Sequence, residues 1–205
     1  MGYETEKADA KRVELETVLS RSFYEVGVED PERLVGEVIL AFTHITAPYY
    51  ELPPVRMITM SAGGYEGGSS VKPGNVVLNL HKLVMAVASG TLTAAGSATT
   101  PWLLLPGALV IWDALYSSLR LDIGEVHACV IWALWISRDG DSTVGKADVL
   151  DTVNRERRIH GRTELSRQEV DDALRDLVKM RCIEQSRQDN GRWWLREWVR
   201  IAYRD

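Results

Sequence analysis

Thirty consecutive residues, LVMAVASGTLTAAGSATTPWLLLPGALVIW from Leu83 to Trp112, carry no charge. Such a run must be buried in a core, laid against a partner or placed in a membrane, because exposing it costs about 25 cal/mol per Å² of apolar surface. Its length alone admits one membrane span, for which roughly 20 apolar residues suffice. Against a span, Ser, Thr and Gly dilute the first half, Pro101 and Pro106 interrupt the run, and Asp113 cuts the second half short. Each half then matches a buried core helix, and the small residues let two such helices pack closely. The pattern predicts a buried helical hairpin over 83–118. A membrane-touching hairpin and an exposed partner-binding surface stay open as alternatives.

Upstream, Leu15, Val18, Leu19, Phe23 and Val26 fall at helical spacing and predict a helix over 5–26. Asp30-Pro31 restarts the chain as an acidic cap followed by proline at the first helical position. The stripe Leu34, Val35, Val38, Ile39, Phe42 and Ile45 predicts a second helix, ended by Pro48. VRMITM (55–60) and NVVLNL (75–80) read as short strands. Between them lies a glycine-rich loop, 61–74. A phosphate-binding loop needs Gly-Lys-Ser/Thr opening a helix, but here Lys72 is followed by Pro73 and Gly74 and an extended segment. A connecting loop is the better reading.

From residue 122 the signals sharpen. Asp122 and Glu125, then Ser166 and Glu169, stand at capping-box spacing before apolar helical patterns. Val126, Cys129, Val130, Ala133 and Leu134 mark one helix, 146–157 a second, and Val170, Ala173, Leu174, Leu177 and Val178 a third. Ser142-Thr143-Val144 suggests a short β-bridge. CIEQSR, a turn at Asp189-Asn190-Gly191, and RWWLREWVRI give two strands joined as a hairpin. Three helices followed by a hairpin, with LSRQEVDDALRDLVKMRCIEQ at the third helix, resemble a winged helix-turn-helix domain over about 122–203. The connection RIHGRTEL is long for that family's tight turn. No family resemblance covers residues 1–118. The expected fold is α+β, mainly α: a helical domain over 1–118 with a small β element, and a winged helix over 119–205.

The resemblance implies a third helix in a DNA groove with the wing on the backbone. Residues 167–176 hold Arg167 and Arg175 against Glu169, Asp171, Asp172 and Asp176, an acidic balance that phosphates oppose. Basic charge collects instead at Arg155, Arg157, Arg158 and Arg162, and at Arg187 and Arg192 beside the wing tip; these are the candidate nucleic-acid contacts. No domain carries the basic surplus of a dedicated nucleic-acid binder: residues 1–118 have 8 basic and 13 acidic side chains, and residues 119–205 have 16 of each.

In the last strand, alternation puts Trp193, Leu195, Val199 and Ile201 on an inner face, with Glu197 a misfit among them. The outer face is then Trp194, Arg196, Trp198 and Arg200, a ladder of rings and guanidiniums rich in the residue types of interaction hot spots. These four are the candidate partner-binding residues. Packing of this face on the N-terminal region or on the first helix, docking of a protein partner or a second copy of the chain, and stacking of nucleotides all stay open.

Catalysis is not expected. His44, His81, His127 and His160 are scattered, and no Gly-x-Ser-x-Gly, HExxH or paired CxxC motif occurs. No catalytic, metal or cofactor residue is therefore predicted. Two distant cysteines, Cys129 and Cys182, cannot form a disulfide framework, and MGYETEKADAKR does not read as a secretory leader, so a cytoplasmic location is expected. The expected function is a non-enzymatic regulator or adaptor that uses a winged helix for protein contacts. A DNA-binding transcriptional regulator and a membrane-acting effector working through 83–118 stay open.

Overall fold

A short strand, β1 (Gly2–Tyr3), leads into helix α1 (Thr5–Glu25), whose buried side is Leu15, Leu19, Ser22 and Phe23. Asp30 caps α2 (Pro31–Phe42): its carboxylate accepts the Arg33 N–H at 3.2 Å, and Pro31 takes the first helical position. In the computed structural model the described residues are 2–25, 27–51, 70–92, 101–105, 124–138, 143–187, 189 and 191–203.

The expected extension of α2 to Ile45 does not occur. The helix stops at Phe42, and Thr43–Thr46 forms β2. Thr43, Ile45 and Thr46 are β-branched, and pairing with a later strand outweighs the helical stripe. After β3 (Tyr49–Glu51) come β4 (Ser70–Lys72) and β5 (Gly74–Asn79), so the end of the predicted glycine-rich loop is strand on either side of Pro73. The expected strand 55–60 lies outside the described residues. Asn79 ends β5 and caps α3 (Leu80–Ala88), accepting the Lys82 N–H at 2.8 Å.

Within the charge-free run, Leu83, Val84 and Val87 of α3 are buried, as are Trp102, Leu104 and Leu105 around the 3-10 turn Pro101–Leu103. Among the described residues no helix is long and apolar enough to cross a membrane. Residues 93–100 and 106–118 of the expected hairpin lie outside them.

The C-terminal part contains α4 (Glu125–Ile136), β6 (Thr143–Gly145), α5 (Lys146–Ile159), α6 (Arg167–Lys179), β7 (Ile183–Gln185), β8 (Arg192–Leu195) and β9 (Trp198–Tyr203). Helix α4 is buried continuously from His127 to Leu134, as suits a helix apolar on every side. Its cap differs from the expected Asp122–Glu125 box. Glu125 is the first helical residue, and the Gly124 N–H is met by His127 Nδ1 at 3.3 Å. The Ser166–Glu169 box does form, and the Ser166 hydroxyl and N–H hold the exposed Glu169 carboxyl below its usual range. Val178, expected in the core, is 39% exposed.

The chain is a mostly helical α+β protein with three small antiparallel sheets, ordered β1-β3-β4, β2-β5-β9 and β6-β8-β7. One strand was expected over RWWLREWVRI; there are two. β8 pairs between β6 and β7, the chain breaks register at Arg196-Glu197, and β9 then pairs with β5, more than a hundred residues earlier. The break is held from the other side. The Glu197 carbonyl accepts the Leu80 N–H at 2.9 Å, and His81 Nε2 lies 2.9 Å from the Leu195 carbonyl, so the start of α3 clasps the crossing. Glu197, the misfit of the alternation, sits where the strand leaves one sheet for the other.

Candidate interaction groove

Sheet β2-β5-β9 has one face in the core and one outward. On the core face Leu78 stands beside Val199 and Val76 beside Ile201, all four buried. On the outer face the register sets His44, Val77 and Arg200 side by side across the three strands, with Trp198 two residues along β9. Arg196, at the strand break, and Arg181, just after α6, complete the lining of a groove of about 780 Å³. Trp198 is 48% exposed.

Arg181 reaches this groove from a backbone position that normally belongs to glycine. Helices α1, α5 and α6 end in the same pair of hydrogen bonds. Gly27 N–H meets the Tyr24 carbonyl and Val28 N–H that of Phe23, both at 3.0 Å. Gly161 N–H meets Arg158 at 3.1 Å and Arg162 N–H meets Arg157 at 2.7 Å. Arg181 N–H meets Val178 at 2.9 Å and Cys182 N–H meets Leu177 at 3.0 Å. This Schellman pattern puts its penultimate residue in the left-handed region. Gly27 and Gly161 have φ of 84° and 67°, and Arg181, with φ 58°, is the one non-glycine at positive φ among the described residues. An L-residue there costs roughly 1–2 kcal/mol, which glycine avoids.

Charge at the groove is largely unneutralised. Arg196 Nε lies 3.6 Å from a Glu184 carboxylate oxygen, an exposed contact that contributes little. Neither Arg181 nor Arg200 forms an ion pair with a described residue. In a chain of net charge −5, this is a local excess of positive charge beside an exposed indole.

The four ladder residues are only partly brought together. Arg196, Trp198 and Arg200 line the groove, whereas Trp194 is exposed on the other sheet, opposite Thr143 and Glu184. Among the described residues the ladder's own rings carry no stacked guanidinium; the stack present is Arg138 on Trp135, 3.3 Å from the ring centroid. Arg181 and His44 were missed because strand alternation says nothing about a helix end or about a strand far away in sequence.

The candidate nucleic-acid arginines are mostly engaged within the fold. Arg157 is buried: its Nε donates to the Thr163 carbonyl at 2.6 Å and its NH1 to Glu125 Oε1 at 2.9 Å. Arg158 pairs with Glu164, Arg162 approaches Glu125 at 3.8 Å, and Arg155 approaches Glu156 at 3.8 Å. Arg192 ties down β6 through the Thr143 hydroxyl and carbonyl, at 2.8 and 2.9 Å. Arg187 is exposed near the turn. The long connection RIHGRTEL is braced rather than open, since Asn154 Oδ1 accepts the Leu165 N–H at 2.8 Å and its Nδ2 donates to the Leu165 carbonyl at 3.0 Å.

Both thiols are buried, which pushes Cys129 up to about 12 and raises Cys182 as well. Among the described residues no three His, Cys, Asp or Glu side chains converge as metal ligands do. Comparison of the chain with protein-family models, with curated proteins and with solved structures found no match.

Proposed function

We propose that this chain is a non-catalytic regulator or adaptor that acts by holding a protein partner in the Arg181–Arg196–Trp198–Arg200 groove. The observation that carries the proposal is Arg181 itself. A strained arginine stands where two other helix ends of the same chain use glycine. It adds a third guanidinium to a cluster around an exposed Trp whose ion-pair contact among the described residues is the exposed Arg196–Glu184 one. Arginine and tryptophan dominate interaction hot spots because they combine large contact area with directional polar groups. Residues 119–205 are read as a winged helix. The succession α4-β6-α5-α6-β7-β8 and the sheet order β6-β8-β7 support that reading, with β9 running on into the neighbouring sheet.

A DNA-binding role draws less support. Arg157 and Arg192 are spent on internal contacts, and the exposed first turn of α6 sets Glu169 against Arg167 and so offers phosphates no basic surplus. A membrane-acting role loses the side chains of the charge-free run that are already core: Leu83, Val84, Val87, Trp102, Leu104 and Leu105.

The test is a mass-resolved pull-down with three baits: wild type, Trp198→Ala with Arg200→Ala, and Trp194→Ala. Partners lost from the double variant and kept by Trp194→Ala support the groove. An identical partner set on all three baits refutes it, and salt-sensitive retention of wild type on duplex DNA, abolished by Arg158→Ala with Arg187→Ala, would favour the DNA reading instead.

A further inference from the structure

We infer that the groove takes its partner as an added β-strand, an extended segment with carboxylates at alternate positions laid along the free edge of β9. The inference rests on the protein-partner reading above and specifies its chemistry.

The edge is defined by the ladder. Antiparallel residues alternate between pairs that exchange backbone hydrogen bonds and pairs that do not. The Leu80 N–H donates to the Glu197 carbonyl, and the register continues through Leu78 opposite Val199 and Val76 opposite Ile201. The backbone groups of Val199 and Ile201 therefore turn toward β5. Those of Trp198, Arg200 and Ala202 turn away from it, toward an edge with which no other described strand pairs. The residues that offer free N–H and C=O groups are the same ones whose side chains face the groove. A strand placed there gains main-chain hydrogen bonds and, through its alternate side chains, reaches the guanidiniums.

Charge selects the occupant. Side chains two apart on the added strand face the groove together, so carboxylates at that spacing meet Arg200, Arg196 and Arg181. A second copy of the chain fits poorly: antiparallel pairing of two β9 edges about Arg200 sets Arg200 against Arg200, a destabilising like-charge pair. A nucleic-acid strand carries its charge far beyond the groove. It also lacks the alternating N–H and C=O groups that the free edge of β9 would pair with.

The experiment uses the whole chain and a labelled peptide, acetyl-Glu-Thr-Glu-Val-Glu-Thr-Glu-amide, followed by fluorescence anisotropy. Two further peptides carry backbone N-methyl groups, one at the glutamates and one at the residues between them. The parent peptide is expected to bind, and a glutamine-for-glutamate version to bind about tenfold more weakly or worse. One N-methylated peptide should lose about tenfold, because its methyls face β9, while the other binds like the parent. Ala202→Pro, which removes an outward N–H and no charge, should weaken binding while the protein stays folded by circular dichroism.

Failure of the parent peptide to bind overturns the inference. Equal binding of both N-methylated peptides, with dependence on Arg200 kept, removes strand addition and leaves the protein-partner groove standing. Tighter binding of a short oligothymidylate, lost in Arg200→Ser, overturns both. A wild-type dimer in sedimentation that Ala202→Pro dissociates puts a second copy on the edge and overturns the acidic-segment assignment.

Discussion

Arg181 and Gly161 occupy the same position in two helix ends, each the left-handed residue of a Schellman turn, with φ of 58° and 67°. The local backbone favours glycine at both, so Arg181→Gly removes side-chain strain at the cost of a more flexible unfolded chain. Its stability should change by no more than about 1 kcal/mol in either direction in urea unfolding. Partner binding should nevertheless fall several-fold. A variant markedly less stable than wild type would mean that the arginine serves the fold.

Tyr203 closes the sheet that carries the groove. Its hydroxyl donates to the Thr46 carbonyl at 2.8 Å, and burial holds its phenol above the ordinary range. A phenol raised in the folded state contributes stability that is complete below the unfolded value near 10 and is lost as pH rises through the folded value. Tyr203→Phe should cost about 1 kcal/mol at neutral pH. Above pH ~10 the gap between wild type and variant should narrow, because only wild type has this phenol to ionise. Parallel stability curves through the alkaline range would exclude Tyr203 as a contributor.

Gly74 leaves no room for a side chain. A Cβ there would lie 2.5 Å from the Tyr203 ring and 2.6 Å from the Thr46 carbonyl oxygen. Gly74→Ala should destabilise by roughly 1–3 kcal/mol, since the ring or the strand must shift. Thermal unfolding checks this, and an unchanged midpoint would show that β9 does not seat on β5 as described.

Arg157 is a brace. Arg157→Ala leaves the half-buried Glu125 carboxylate with only the longer Arg162 contact and frees the Thr163 carbonyl, so a loss of about 1–3 kcal/mol is expected in urea unfolding. Retention on duplex DNA at low salt should not change beyond that loss of fold. Selective loss of DNA retention in a fully stable variant would restore Arg157 as a phosphate contact.

What the sequence made legible follows from how local each signal is. Capping at Asp30 and Ser166 and the buried stripes of α1 and α6 depend on neighbours within a few residues. The structure shows both caps and the stripe residues Leu15, Leu19 and Phe23 and Val170, Ala173, Leu174 and Leu177 in place, with Val178 exposed instead. The outward pair Trp198 and Arg200 was readable from alternation because inward and outward sides are a property of one strand, here β9, whereas Arg196 precedes that strand and Trp194 lies on β8. What escaped were events decided at long range. Helix α2 yields at Thr43 because β5 is there to pair with. β9 leaves the hairpin because β5 offers a six-residue partner. Glu197 carried one hint, a charge at an inward position that marks a broken strand. Arg181 carried another, a helix end that lacks the expected glycine.

The central claim, that a partner occupies the groove, is tested most directly by site-specific photo-crosslinking in the native host. A benzoylphenylalanine replacing His44, at the groove, is compared with one replacing Leu40, which is 81% exposed on α2. A discrete adduct from position 44, abolished by Arg200→Glu and absent from position 40, is the predicted result. Adducts from position 40 with none from position 44, or adducts from 44 that persist unchanged in Arg200→Glu, would contradict it.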